Sequence, residues 1–293
     1  MGDVVDLRTS LGAAPIQRDV VRVQGAEAID FLQGQLSQDV ASLSVDESAP
    51  SLLLQPTGKV DAWLRVTRLA SDEVLLDVDA GFGEAVLTRL SRFKLRTKVD
   101  LSLEQWSGLA LRGPGAEGID VPPGAVGLAA RWTGVEGVDV LSDGELALAG
   151  APLVDPAAFD ALRIECGVPA MGAELTDATI PAEAGQWLMD ASVSFTKGCY
   201  TGQELVARID SRGGNVPRPL RGLLVDGDPV PVGTTVHHAG SEVGTVTSSA
   251  RSAVLGAVAL AAVARAVEPG AVVELHAPDG TVARATATAL PMR

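Results

Sequence analysis

Apolar and polar positions change rhythm along the chain, and each change predicts an element. Residues 20–23 are an apolar run that predicts a strand, and 26–36 place Ile29, Leu32 and Leu36 at helical spacing. Residues 52–54 and 60–67 predict a hairpin across Gln55-Pro56-Thr57-Gly58. Its second arm alternates, with Val60, Ala62, Leu64 and Val66 on one face and Asp61, Trp63, Arg65 and Thr67 on the other. The latter face reads either as a solvated sheet surface or as the lining of a cavity. A strand at 74–78, a helix at 83–94 with Val86, Leu90 and Phe93 in register, and a strand at 98–103 follow. This α-β-β-β-α-β order predicts helices on one face of an antiparallel sheet.

A second unit starts at 109–111 and runs into Arg112-Gly113-Pro114-Gly115, which lacks phosphate-loop spacing and reads as a plain turn. Residues 135–141 and 145–149 predict paired strands across Ser142-Asp143-Gly144. The clearest helix is 156–166. Asp155 suits its N-cap, Pro156 its first position, and Gly167 with Pro169 its end. Phe159, Leu162 and Cys166 share one face of it, so Cys166 reads as a small core hydrophobe. From residue 216 short strands (223–225, 244–248, 254–260, 272–275, 281–290) alternate with Gly and Pro turns, the pattern of a small β-barrel. Pro217, Pro219, Pro229 and Pro231 mark the hinge into it. The expected units are thus 1–105, 106–215 carrying the cysteine motif discussed below, and 216–293.

Composition narrows the function classes. The chain is 46% hydrophobic, yet no apolar run reaches the roughly 18 residues of a membrane span. The amino terminus shows neither the basic lead nor the apolar stretch of a signal peptide, and two cysteines make no disulfide framework. A cytoplasmic protein is expected, without a membrane partner. A net charge of −14 disfavours direct nucleic-acid binding, and an anionic ligand would need a local basic pocket. No oligomerisation device is visible, so a monomer is expected.

The chemistry concentrates in Lys197-Gly198-Cys199-Tyr200-Thr201-Gly202-Gln203-Glu204. Thr201 and Glu204 match a capping box, which predicts a helix whose buried stripe is Leu205, Val206 and Ile209. Cys199 would then face a helix N-terminus, with Lys197 nearby, an arrangement that favours a thiolate. Capping alone explains Glu204. Zinc and iron–sulfur sites want about four ligands. Two cysteines, and three histidines all within the barrel region (His237, His238, His276), do not supply an intrachain site, so no permanently bound metal is expected. One thiolate contributed to a cluster shared with a partner stays open.

This motif resembles the signature of the YgfZ-type folate-binding proteins, relatives of the glycine-cleavage T-protein, an aminomethyltransferase. "LQGQLSQDV" (32–40), "LLLQPTGKVDAWLRV" (52–66), "LALRGPGA" (109–116), "LRIECGVPAMGAEL" (162–175), "IPAEAG" (180–185) and "GTVTSSARS" (244–252) follow the same family order. The resemblance implies an α+β, aminomethyltransferase-like fold. Two α/β-sandwich lobes and a C-terminal β-barrel would surround a central channel. It implies tetrahydrofolate or a derivative as ligand, and iron–sulfur proteins or assembly factors as partners. Effects on tRNA modification would follow indirectly, through cluster-dependent enzymes. It makes Cys199 the working position, with Lys197 beside it and Gly198, Tyr200, Gly202, Gln203 and Glu204 as setting.

Against the aminomethyltransferase pattern, the acidic pair expected after Gly58 is replaced by Ala62 and Trp63, which disfavours one-carbon transfer unless Asp61 substitutes. A folate-dependent aminomethyl transferase is therefore the alternative function, and enzymatic activity is left open. For the folate itself, Glu183 and then Glu165 are the expected carboxylates for the pterin edge, Glu165 otherwise pairing with Arg163. Trp63 is the expected stacking partner. Arg65 or Arg208 would meet the glutamate tail, and Tyr200 completes the set of expected contacts.

Overall fold

The computed structural model describes residues 6–146 and 150–292. In chain order it contains β1 (Gly12–Gln24), α1 (Ala28–Gln35), β2 (Ser48–Leu54), β3 (Val60–Arg68), β4 (Glu73–Asp79), α2 (Gly83–Ser91), β5 (Asp100–Arg112), β6 (Val126–Ala129) and β7 (Gly137–Ser142). Then come α3 (Pro156–Cys166), α4 (Gln186–Ser192), α5 (Gln203–Asp210), β8 (Leu220–Val225), β9 (Thr235–His238), β10 (Ser241–Ser252), β11 (Gly256–Val263), β12 (Val272–His276) and β13 (Val282–Thr288).

Strands β1 to β7 form one sheet in the order β2-β3-β4-β1-β5-β7-β6. The expected strands at 98–103 and 109–111 are one element. β5 pairs antiparallel with β1 along its whole length, from Gly12↔Arg112 to Gln24↔Asp100. The expected unit boundary at 105 falls inside this strand, so the two lobes share a sheet. The reason lies in β1. Its amino-terminal half, Gly-Ala-Ala-Pro-Ile-Gln, has little hydrophobic rhythm and becomes a strand only through its partner. The expected partner strand at 145–149 lies partly outside the described residues. β7 instead pairs with β5 and with β6, which has no sequence signal of its own.

Residues Ala62, Leu64 and Val66 of β3 join the main core with Phe31 and Leu32 of α1, Val86 and Leu90 of α2, and Leu188 and Met189 of α4. Trp63 and Arg65 border a cavity, which Leu64 also touches, and Trp63 packs against the main core as well. α3 forms as predicted. The Asp155 carboxylate accepts from the Ala157 amide at 2.8 Å, and Gly167 ends the helix at φ 70°. The last six strands close into a barrel, β10-β11-β8-β13-β12-β9. Glu174 fastens it to the rest. This buried carboxylate accepts from Thr247 Oγ1 and Ser248 Oγ of β10, both at 2.6 Å, and from Arg163 of α3 at 3.3 Å. No helix among the described residues is long and apolar enough to cross a membrane.

Candidate functional site

Two places draw the chemistry together, and they are distinct. The first is a cavity of about 420 Å³, walled by strands of the large sheet, by α3 and by Trp187 of α4. Cross-strand pairing builds a ladder of charge along its floor. Arg65 stands opposite Asp77 in the β3–β4 register, and Arg18 opposite Asp79 between β1 and β4. Arg65 makes a two-pronged pair with Asp77 (2.9 and 3.0 Å) and reaches Asp139 of β7 at 3.0 Å. Asp139 also takes Arg112 of β5 at 2.9 Å. Arg18 joins Asp77 and Asp79. Two-pronged guanidinium–carboxylate pairs are the geometry in which buried charges satisfy one another.

Burial pushes the Asp139 carboxyl up, but Arg112 and Arg65 outweigh it and hold it down to about 2. Burial lowers the Arg65 guanidinium too, and Asp77 with Asp139 overcomes this so that the net shift is upward. Arg112 goes the other way, lowered by its burial. Its guanidinium carbon sits over Trp132 at 4.2 Å and Phe159 at 5.1 Å, and Gly137 makes the room. A Cβ at Gly137 would lie 2.8 Å from Arg112 Cδ.

The cavity wall thus carries five arginines (Arg18, Arg65, Arg112, Arg131, Arg163) against Asp79, Asp139 and Asp160. In a chain of net charge −14 this is a local reversal of sign. Arg131 is exposed and makes no ion pair among the described residues. Trp63 and Trp187 meet edge to face, centroids 6.1 Å apart, and the Trp63 indole N–H donates to Ser192 Oγ at 3.0 Å.

The second place is the cysteine motif. α5 begins at Gln203 with Gly202 as N-cap, so the expected Thr201–Glu204 capping box does not form. The Gln203 side-chain oxygen accepts from the Tyr200 amide at 3.2 Å instead. Gly202 has φ 83° and packs against the β2–β3 turn, where Gly58 has φ 82°. A Cβ on Gly202 would lie 2.5 Å from Gln55 O, and one on Gly58 2.5 Å from Leu205 Cβ. The two turns therefore touch backbone to backbone, and tertiary contact overrides the local capping signal.

Lys197 is a tether. Its ammonium donates to the carbonyls of Gln33 and Leu36 at 2.7 Å and Gln38 at 2.8 Å, closing the C-terminal end of α1. Burial lowers the Lys197 ammonium to about 8, with Asp39 acting in the opposite direction. Cys199 lies exposed on this loop. Cys166 is buried against Leu162 and Val168, and that burial raises its thiol to about 11.

The expected folate contacts divide. Trp63 and Arg65 border the cavity, although Arg65 is fully engaged by carboxylates. Glu183 accepts from the Ile180 amide at 3.1 Å and caps the short turn Pro181–Ala184. Glu165 pairs with Arg8 at 3.0 Å rather than with Arg163. Tyr200 is buried in the main core, its phenol raised to about 12 by burial, while Arg208 and Glu204 are exposed on α5. None of these last five residues, nor Cys199, lines the cavity. Asp61 does not line it either, and pairs with Arg89 of α2 at 3.1 Å. Asp77 and Asp139 escaped the sequence reading, yet each sits amid an apolar strand, which is the mark of a buried ion pair. Among the described residues no cluster of three or more His, Cys, Asp or Glu is placed to hold a metal ion.

Comparison with known proteins extends this picture. Residues 218–292 match the glycine cleavage T-protein C-terminal barrel domain. The chain is 29% identical over 220 residues to the mitochondrial iron-sulfur cluster assembly factor IBA57 homolog of Mycosarcoma maydis, a match spanning 67% of this chain and 53% of that protein. It is 27% identical over 215 residues to the tRNA-modifying protein YgfZ of Escherichia coli O7:K1, covering 66% of this chain and 65% of the relative. In both cases the match spans less than two thirds of the relative's length. The glycine cleavage system aminomethyltransferase T of Bartonella henselae superposes with a TM-score of 0.79 over 97% of this chain and 87% of that one, at 22% identity, and so shares the fold. Barrel, relatives and fold agree in one likeness: the chain carries a region matching the glycine cleavage T-protein barrel, is similar to YgfZ and IBA57 proteins, and has an aminomethyltransferase-like fold.

Proposed function

We propose that this protein binds tetrahydrofolate and serves iron–sulfur cluster assembly or repair, thereby supporting cluster-dependent enzymes, those of tRNA modification included. The observation that carries the reading is the contrast between the two cysteines. Cys166 is buried in apolar packing, whereas Cys199 stands exposed on a loop tied down by Lys197. An accessible thiol on a fixed loop can lend one ligand to a cluster in transit, or attack a partner's disulfide and release the partner's thiol. The relatives named for cluster assembly and tRNA modification point the same way.

For folate, the cavity supplies aromatic faces in Trp63 and Trp187, and partly open carboxylates in Asp79 and Asp160 that can accept from a pterin's amino and ring N–H groups. The tail contact moves from Arg65 and Arg208 to Arg131, the cavity arginine with no carboxylate partner among the described residues. The transferase alternative loses its support, since Asp61 is held by Arg89 away from the cavity wall.

Two measurements test this together. Tetrahydrofolate is expected to quench tryptophan fluorescence in wild type and in Cys199→Ala alike. Cys199→Ala is expected to leave cluster-enzyme activity unrestored in a deletion strain that wild type rescues. Full rescue by Cys199→Ala would end the reading of the thiol, and an unquenched spectrum that of the ligand.

A further inference from the structure

The cavity and the cysteine loop are separate places, yet one short helix belongs to both. α4 carries Trp187 in the cavity wall and ends at Ser192, from which the chain runs directly into the loop bearing Cys199. Ser192 is fully buried and bonded on two sides. Its hydroxyl accepts the Trp63 indole N–H from the cavity wall at 3.0 Å. Its carbonyl accepts from Ser37 Oγ at 2.6 Å. Ser37 then binds the loop itself, its carbonyl accepting from the Ser194 amide at 3.0 Å, and its hydroxyl accepts from the Leu52 amide of β2 at 2.9 Å. Further along, Lys197 and the Thr201 amide bond to the C-terminal end of α1 at Gln33, Leu36, Gln38 and Gly34.

We propose that Ser192 is a positioning residue that couples occupancy of the cavity to the order of the Cys199 loop. The Trp63 indole has one donor, and its acceptor, the Ser192 hydroxyl, is fully buried, so parting them strands a buried polar group and favours the ring and Ser192 moving together. A ligand packed on Trp63 and Trp187 holds the indole against Ser192. That holds the end of α4, and through Ser37 it holds the first anchor of the loop. Without the ligand the tryptophan pair has a free face, and the Trp63–Ser192 bond alone ties the cavity wall to the first anchor of the loop, so that anchor opens more readily. The inference rests on the reading of the cavity as the ligand site, but the hydrogen-bonded path stands independently of which ligand fills it.

Hydrogen exchange across residues 193–202, in wild type and in Ser192→Ala, with and without saturating tetrahydrofolate, tests the coupling. Calorimetry scores binding separately. A coupling of useful size corresponds to about fivefold or more. Ligand is expected to slow exchange of this segment by at least that factor in wild type and to leave Ser192→Ala unchanged, although the variant still binds. Without ligand, Ser192→Ala is expected to exchange faster than wild type. Ligand that binds without slowing the segment, or slows it equally in Ser192→Ala, overturns the proposal. If calorimetry shows no binding, the folate reading fails by itself. The ligand-free comparison then decides the coupling, and equal exchange in the two proteins refutes it.

Discussion

Asp139 shows what a single buried residue is asked to do. It lies between Arg65 and Arg112 on the cavity floor, and those guanidinium groups hold its carboxyl at about 2 against the push of burial. A carboxyl depressed in the folded state stabilises the protein above its unfolded value near 4 and ceases to do so as pH falls toward the folded value. Asp139→Asn leaves both arginines short of a counter-charge. Breaking one side of a buried pair costs about 3–5 kcal/mol, a loss that equilibrium denaturation at neutral pH would register. The variant is also expected to lose less stability than wild type between about pH 4 and pH 2. Parallel acid-denaturation curves for the two proteins would show that Asp139 is not the group titrating there.

At the scale of elements, the contact between the β2–β3 turn and the motif turn sets the site. Gly202 and Gly58 both have positive φ and approach each other's backbones too closely for a side chain. Gly202→Ala is expected to lower stability by about 1–3 kcal/mol, read as a shifted denaturant midpoint, because it adds backbone strain to the clash with Gln55 O. An unchanged midpoint would mean that the two turns separate freely. The same contact explains what the sequence could and could not disclose. α3 was legible because its signals are local: Asp155, Pro156 and Gly167 each act within a turn of where they stand. The capping box at Thr201 was equally local and equally plausible, and it lost to a neighbour 142 to 146 positions earlier in the chain, the turn between Gln55 and Lys59. Lys197 was read as a partner for Cys199 for the same reason. Its true acceptors are the carbonyls of Gln33, Leu36 and Gln38, which no pattern of side chains announces.

At the scale of the whole molecule, the cavity was the least legible feature. Its wall draws on residues as distant as Ile16 and Trp187, and becomes basic only when β1, β3, β5 and α3 bring their arginines together. A net charge of −14 gave the opposite impression, and both statements hold at their own distances. That difference has a kinetic consequence. The proposed folate ligand carries carboxylates, so the field of the whole protein would oppose its approach, while the arginines would act once it had entered. The screening length shrinks from about 30 Å at 0.01 M salt to about 8 Å at 0.15 M, so added salt removes the long-range repulsion first. The buried arginines of the cavity floor, Arg65 and Arg112, are screened far less, and contacts within the cavity govern release. The association rate of tetrahydrofolate, followed by stopped-flow tryptophan quenching, is therefore expected to rise with salt over this range, with dissociation changing little. An association rate that falls instead would mean that the arginines already dominate the field outside the cavity, and that net charge is the wrong guide to how this protein meets its ligand.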